Sequence, residues 1–200
     1  MTGKTHMMVG GLAAMAVVTV TKEANLTAFG VGMASSVLGS LVPDCDHENS
    51  KFAHANIITR AISGVISSVT KHRGVCHTIP FCIVASLVWL GICMLIGDML
   101  IPSLSKGINH LLGENIGDVS SYIYLSTLYF FVGTVSHLVA DTFNPQGIMW
   151  GWPVSKKRMS VMSITTSGGG ELIFSIIVSI IFCAWIVVYF NGIIRTGIPF

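Results

Sequence analysis

Three residues that could bind a metal ion stand close together after an apolar run of the chain. Asp44, Asp46 and His47 follow the apolar residues 26–42 almost directly. Ionisable side chains at the edge of a membrane are costly unless they are paired, hydrated or bound to a cation. Two carboxylates and an imidazole suit a divalent ion such as Zn, Mn or Mg. A solvated acidic turn after a membrane helix would fit the same residues, and this stretch alone does not decide between them.

Further histidines and carboxylates stand at the ends of other apolar segments. His137 and Asp141 are four residues apart, so they share one face of a helix, a spacing that can present two ligands to one metal. His72 and His77 flank Gly74, where we expect a bend into the next apolar segment. The predicted metal ligands are, in chain order, His6, Asp44, Asp46, His47, His72, His77, His137, Asp141 and Glu171.

This ligand set predicts a catalytic rather than a structural metal site. Structural zinc sites tend to be rich in thiolates, whereas none of the five cysteines here forms a C-x-x-C pair. The candidates exceed one coordination sphere, which indicates two or more divalent ions, with zinc as the first expectation and Mn or Mg as alternatives. Two close ions can stabilise both the attacking and the leaving oxygen of a phosphoryl displacement.

Catalytic roles can be predicted for three further side chains. Arg73 has the planar donor fork that binds a phosphate in bidentate fashion, although it would equally serve as a cytoplasmic anchor of the loop. Either His47 or His54 would protonate the leaving group, and the sequence does not choose between them.

The composition indicates that these groups belong to an integral membrane protein. Of the 200 residues, 52% are hydrophobic and only 10% are charged, with a mean hydropathy of +0.75. Soluble domains carry roughly 25% charged residues. The net charge of +2 is small, and the basic residues are spread along the loops without aromatic neighbours. We therefore expect no nucleic-acid partner.

The elements that must position the ligands are helices. Apolar residues at helical spacing within 48–71 predict a further helix that lies on the membrane surface. We expect Pro43 to end the second membrane helix and residues 102–118 to form a polar loop. The sequence thus predicts one all-α, polytopic membrane domain over 1–200, with about five transmembrane or re-entrant helices plus the interfacial helix. The five apolar segments are 7–21, 26–42, 79–101, 122–140 and 172–190.

The distribution of basic residues predicts the orientation of these helices. With the amino terminus in the cytoplasm, eight basic residues fall on the cytoplasmic side and three on the other, which fits the positive-inside rule. This arrangement would bring all the predicted ligands to the cytoplasmic face. The eight are Lys4, Lys51, Arg60, Lys71, Arg73, Lys156, Lys157 and Arg158, and the three are Lys22, Lys106 and Arg195.

Three motifs together resemble a known family. They are Pro43-Asp44-Cys45-Asp46-His47, then His72-Arg73-Gly74-Val75-Cys76-His77-Thr78, then Ser136-His137-Leu138-Val139-Ala140-Asp141, followed by Gly147 and Trp152-Pro153. The combination resembles the YdjM-type family of bacterial inner-membrane proteins, which are described as metal-dependent hydrolases. The likeness runs from His6 to Glu171. The usual pattern has an aliphatic residue at position 45, Thr at 76 and Ser at 78, so this chain departs beside the presumed ligands but keeps them.

A more distant similarity is to zinc phospholipase C and P1-type nucleases, helical enzymes with His-x-x-x-Asp ligand pairs. The resemblances imply a hydrolase of the bacterial inner membrane. Because a site at the membrane face is easily reached by a lipid headgroup, the predicted reaction is hydrolysis of a phosphoester in a lipid or lipid-linked substrate. The predicted partners are accordingly membrane lipids and this substrate.

Other functions remain open from the sequence. A metal transporter would need ligands near the middle of the membrane, whereas these stand at segment ends. A haem-binding protein would use histidines as axial ligands, which fits poorly with the aspartates. A non-catalytic metal-binding membrane protein is the remaining alternative.

Overall fold

The computed structural model describes residues 1–22, 25–70, 73–112 and 119–196, with only the backbone described at 98–112, 119 and 196. The described residues form six α-helices, and five of them are long and apolar enough to cross a membrane. The prediction of an all-α, polytopic membrane protein is thereby confirmed. The helices are α1 (Gly3–Thr21), α2 (Leu26–Gly39), α3 (Ile57–Val69), α4 (Ile79–Leu112), α5 (Val119–Thr142) and α6 (Gly169–Thr196).

Helix α5 is the centre of the bundle, because it packs against α1, α2 and α4, while α6 packs against α1. The tightest crossing joins α2 to α5. A Cβ atom on Gly39 would meet the carbonyl oxygen of Phe130, and one on Gly133 would meet that of Ser36. These two glycines allow the backbones to touch, as small residues do between membrane helices. The crossing lies one turn or so before the predicted ligands of both helices.

Two short 3-10 helices lead from the membrane helices into the site. The first, Val42–Asp46, follows α2 and contains Asp44 and Asp46. The second, Val75–His77, begins after Gly74 and turns the chain into α4, which is the expected bend. The expectation that Pro43 ends the membrane helix was wrong in detail. The α-helix already ends at Gly39, and Pro43 lies in the first turn of the 3-10 helix, where its missing N–H leaves no bond unmade.

The predicted loop at 102–118 was also wrong over the part that the structure describes. Helix α4 continues to Leu112. Leu104, Ile108 and Leu112 recur at helical spacing, and this pattern outweighed the breaking tendency of Pro102 and Gly107. The segment that crosses a membrane by length and hydropathy is 79–97.

The amphipathic helix expected within 48–71 is present as α3. Asn56 begins it with a capping box, in which its side chain accepts a hydrogen bond from the Thr59 N–H and its own N–H donates to Thr59 Oγ1. One face of α3 packs against the first 3-10 helix. The opposite face exposes Ile57, Ile58 and other apolar side chains, as an interfacial helix would.

Candidate metal centre

Five predicted ligands from four separate segments meet at one end of the bundle. They are His6 near the start of α1, Asp44 in the first 3-10 helix, His77 in the second, and His137 and Asp141 near the end of α5. The three histidines are fully buried, Asp141 is almost fully buried, and the Asp44 side chain is 13% exposed. The predicted convergence of distant stretches is therefore observed for these five residues.

His137 is fixed in one tautomer by the backbone of α2. Its Nδ1 lies 2.7 Å from the Ser40 carbonyl oxygen. Because a carbonyl oxygen only accepts, Nδ1 carries the hydrogen and, in the neutral ring, Nε2 offers a lone pair. That Nε2 lies 3.3 Å from His77 Nε2, 3.6 Å from Asp44 Oδ1 and 3.9 Å from Asp141 Oδ2. Four potential ligand atoms thus face one another.

These spacings fit a small divalent ion. Zinc binds nitrogen and carboxylate oxygen at about 2.0–2.2 Å, so two ligands of a tetrahedral ion are about 3.3–3.6 Å apart. Among the described residues, three overlapping groups have ligand atoms within 4.8 Å of one another. They are His6 with Asp44 and His137, His77 with His137 and Asp141, and Asp44 with Asp46 and His77. These groups could hold a metal ion, and their overlap offers more than one coordination sphere.

His6 adds a second reason to expect an ion here. Its ring stacks on that of His137 with centroids 3.6 Å apart and an interplanar angle of 10°. Among the described residues, neither ring nitrogen of His6 has a hydrogen-bond partner, although Nε2 is 3.4 Å from Asp141 Oδ1. Buried polar atoms are nearly always bonded, so a fully buried imidazole in this state calls for an explanation that a bound ion would supply.

Asp46 faces the outer side of His77. Asp46 Oδ2 is 3.4 Å from His77 Nδ1 and also accepts a hydrogen bond of 3.0 Å from the Arg73 N–H. A carboxylate behind a ligating histidine is the usual way to orient its ring. Burial alone would lower the pKa of the His77 imidazole, but hydrogen bonds to Asp44 and Asp46 and the charges of both carboxylates raise it to about 9. Without a metal, His77 therefore carries a proton at neutral pH.

Arg73 is buried beside this cluster in an unusual backbone conformation. Its φ of 59° lies in the left-handed region, which is uncommon for residues other than glycine. The chain is held there by the Asp46 carboxylate at its N–H and by Arg158, whose NH2 donates to the Arg73 carbonyl oxygen at 3.0 Å. The guanidinium NH2 is 2.9 Å from Asp141 Oδ2, while Nε and NH1 are buried and find no hydrogen-bond partner in the described part of the chain.

Asp141 links the two halves of the site. Its Oδ2 faces Arg73 and His137, and its Oδ1 faces His6 and lies 2.7 Å from the amino group of Met1. The carboxylate therefore sits between a predicted ligand cluster and two cationic groups. Such a position fits a ligand that also orients the arginine.

A polar cavity of about 450 Å³ leads to the cluster from outside. Asp44, His47 and Arg73 line it, and the exposed side chains of Lys4 and Lys51 stand at its rim. Because cations outnumber the single carboxylate, the cavity favours an anionic ligand.

The remaining predicted residues lie elsewhere. His47 is exposed in the polar cavity and belongs to none of the three ligand groups that the described residues form. His54 lines a separate cavity with Glu48 and Arg60. His72 lies outside the described residues.

Glu171 does not join the ligand groups among the described residues either. Its carboxylate accepts hydrogen bonds from the Thr2 N–H, from Thr5 Oγ1 at 2.7 Å and from the Ser167 N–H at 2.6 Å. It thereby ties the start of α1 to the start of α6. Thr5 is next to His6, so Glu171 supports the position of a ligand from outside the cluster.

Sequence reasoning missed two residues that shape the site. Ser40 acts through its backbone carbonyl, which leaves no signal in a side-chain pattern. Arg158 was counted only as a cytoplasmic charge, yet it fixes the Arg73 backbone. Its neighbours Lys156 and Lys157 are exposed, and nothing in the local sequence distinguishes Arg158 from them.

Comparison with known proteins identifies the family but supplies no reaction. No curated protein and no solved structure matches the chain, so the likeness to zinc phospholipase C and P1-type nucleases stays a prediction. The model of the family described as YdjM inner membrane protein matches residues 1–196. The chain therefore belongs to the YdjM inner membrane protein family, as its three ligand motifs predicted.

Proposed function

We propose that this membrane protein is a metal-dependent hydrolase that cleaves a phosphoester in a lipid or lipid-linked substrate at the cytoplasmic face of the inner membrane. The observation that carries the proposal is Arg73. Its guanidinium is buried in the wall of the polar cavity and pairs with the Asp141 carboxylate, and its Nε and NH1 have no hydrogen-bond partner among the residues that the structure describes. A phosphoryl oxygen in the cavity would accept a charge-assisted hydrogen bond from one of these donors.

The metal would be held by His6, Asp44, His77, His137 and Asp141, with Asp46 either behind His77 or as a further ligand. Two or more zinc ions, or Mn or Mg in their place, would supply an activated water and charge neutralisation at the phosphoryl oxygens. The chain itself would contribute orientation. Ser40 and Asp46 fix the rings of His137 and His77, and Arg73 holds the phosphoryl group.

Of the two predicted general acids, the cavities favour His47. It shares the polar cavity with Asp44 and Arg73, whereas His54 lines a different one. A leaving group bound in the polar cavity would thus have His47 within reach. We expect His47→Ala to lower turnover by about 10²-fold and His54→Ala to leave it near that of the wild type. Equal loss in both variants would remove this assignment.

Two features support a lipid substrate. The ligands stand at the ends of membrane helices, next to where headgroups lie, and α3 presents an apolar face beside the site. The excess of basic residues on the same side supports the cytoplasmic face. The position of the ligands at helix ends also argues against a transporter, which would bind its ion near the membrane centre.

The test is metal content and turnover measured on the same purified protein. Protein prepared without chelators should contain at least two divalent ions per chain and should hydrolyse members of a phospholipid and phosphodiester panel. His137→Ala should lose bound metal and turnover together, whereas His54→Ala serves as the matched histidine variant that keeps its metal. Wild-type protein that holds no metal would end the hydrolase proposal. Metal without turnover on any phosphoester would leave a non-catalytic metal-binding protein.

A further inference from the structure

A second cavity lies on the other side of the first 3-10 helix from the metal centre. Its volume is about 500 Å³, a size typical of small-molecule sites. Seventeen residues line it, from α2, α3, α4, α5, the first 3-10 helix and the chain on either side of that 3-10 helix, and all but Asn56 and Thr59 have nonpolar side chains. The cavity is therefore of a kind that accepts hydrocarbon.

Several of the few polar atoms around this cavity are already bonded. Asn56 and Thr59 satisfy each other through the capping box of α3. The indole Nε1 of Trp89 donates to Ser126 Oγ at 2.9 Å. A polar ligand would find few partners in this cavity and would lose its hydration, which is unfavourable. A purely apolar chain would not meet this cost.

The cavity is open towards the bilayer along α4. Val84 and Val88 both line it, and each is 57% exposed on a helix that is long and apolar enough to span the membrane. Ile62 of α3 lines the opposite side and is also partly exposed. The hydrocarbon next to such an opening is the acyl chains of membrane phospholipids, which are the solvent of this face.

Only one turn of 3-10 helix separates the two cavities. Val42 and Cys45 line the apolar cavity, whereas Asp44 lines the polar one that contains Arg73. Three residues of 3-10 helix extend only about 6 Å. The two cavities are thus close enough for one amphipathic molecule to span both, with its charged group towards Arg73 and its chain in the apolar cavity.

We propose that the apolar cavity is the chain-binding subsite for one acyl chain of a membrane phospholipid, whose phosphoryl group lies in the polar cavity at the metal centre. The assignment of the phosphoryl group rests on the proposed function. The binding of the chain stands on the cavity itself and can be measured without hydrolysis.

The experiment measures lipid retention on detergent-purified protein by native mass spectrometry during titration with dioleoylphosphatidylglycerol. Ala85 lines the cavity from α4, so Ala85→Phe places a ring inside it. Ala184 is exposed on α6 and is absent from the lining, so Ala184→Phe is the matched control. The ring displaces at least two methylene groups of the chain, so we expect affinity for a single saturable lipid to fall about tenfold or more in Ala85→Phe only.

The outcomes separate the two proposals. Equal retention by Ala85→Phe and Ala184→Phe would overturn the chain-binding subsite. If Ala85→Phe fails to fold or loses its metal, Ala85→Leu places a smaller group in the same cavity. An unchanged lipid affinity in Ala85→Leu would also overturn the chain-binding subsite. Stronger, Ala85-dependent binding of a polyprenyl phosphate would overturn the assignment to an acyl chain. If the wild-type protein hydrolyses no phosphoester but Ala85→Phe still reduces lipid binding, the chain-binding subsite stands and only the proposed function is excluded.

Discussion

Arg73 occupies a position that the surrounding chain enforces. A left-handed φ for a residue with a long side chain costs of order 1–3 kcal/mol and persists where the neighbours hold it. Here Asp46 binds its N–H and Arg158 its carbonyl oxygen, so both sides of the residue are fixed. The result is a guanidinium whose direction is set before any ligand arrives, which is what preorganised binding of a transition state needs.

Substitution of Arg73 by lysine separates the catalytic from the topological interpretation of this residue. Lysine keeps the positive charge but lacks the planar fork of donors. If Arg73 holds the phosphoryl group, Arg73→Lys should keep its fold and metal and lose about 10²-fold or more in kcat, as the loss of one transition-state contact does. Turnover and metal content should be measured on one preparation.

The control is Arg60→Lys, which changes the same residue type on the exposed surface of α3. It should leave turnover unchanged. Full activity in Arg73→Lys would leave Arg73 as an anchor of the loop.

The pKa of His77 predicts how stability and metal binding at the site depend on pH. Its pKa in the metal-free protein is about 9, above the 6.5 of an ordinary histidine, because Asp44 and Asp46 stabilise its charged form. The stability gained in this way is complete below pH 6.5 and is lost as the pH rises through 9. A metal must displace the same proton, so metal affinity should rise with pH over this interval, by up to about tenfold per pH unit for one proton.

Isothermal titration of the metal-free protein at pH 7.5, in buffers with different heats of ionisation, measures this proton. We expect about one proton to be released from His77 on metal binding. If metal binding neither released nor took up a proton, and the metal affinity stayed constant from pH 6.5 to 9, a charged His77 in the metal-free site would be contradicted.

At the scale of single residues, the sequence predicted the clustered side chains better than the groups that support them. The convergence of His6, Asp44, His77, His137 and Asp141 could be predicted because ionisable side chains at the ends of apolar segments are conspicuous. Glu171 has the same appearance in the sequence, yet its oxygens are taken by Thr2, Thr5 and Ser167. Ligation and hydrogen bonding to the backbone use the same carboxylate, and only the folded arrangement distinguishes them.

The element that sets the site is the crossing of α2 and α5. Asp44 follows α2, and His137 and Asp141 belong to α5, so the distance between these helices fixes the distance between ligands. The crossing depends on Gly39 and Gly133, each of which faces backbone of the other helix. The closeness of the two helices also allows His137 to reach the Ser40 carbonyl oxygen.

A methyl group at the crossing should therefore open the metal site. Gly133→Ala forces the two backbones apart, which typically costs about 1–3 kcal/mol of stability. We expect a lower unfolding temperature and weaker metal binding, because the separation affects Ser40, Asp44 and His137 together. Thermal unfolding in detergent and metal content measure the two effects.

The matched control is Gly30→Ala on α2, where a Cβ atom would meet nothing within 4 Å. This variant should keep its metal and be as stable as the wild type or slightly more, since alanine favours a helix over glycine. Equal behaviour of the two variants would show that the crossing does not determine the site.

The helices themselves were largely predictable from hydropathy, since a membrane helix must present a long apolar run. The ends of the helices were less predictable from the sequence. The breaking tendencies of Pro102 and Gly107 were given too much weight, and Pro43 was taken for a stop although it lies within a new 3-10 turn. The end of a helix depends on local hydrogen bonding and packing, which a count of apolar residues does not contain.

For the whole molecule, one orientation places every ligand-bearing end on the same side. The start of α1, the end of α2, the start of α4, the end of α5 and the start of α6 lie there if α1, α2, α4, α5 and α6 all cross the bilayer. The contacts between His6, Asp44, His77 and His137 require this arrangement of ends.

The charges favour the cytoplasm for the metal centre, and this can be tested on the intact protein. The side with the site has eight basic residues against three, an excess that opposes translocation of its loops. Reporter fusions that are active only outside the cytoplasm should be active after Lys22, within residues 113–118 and at the carboxyl end. They should be silent after Lys156. Activity after Lys156 would place the site outside and remove cytoplasmic lipids as its substrates. A silent reporter within 113–118 would instead contradict the crossing of α4 and α5.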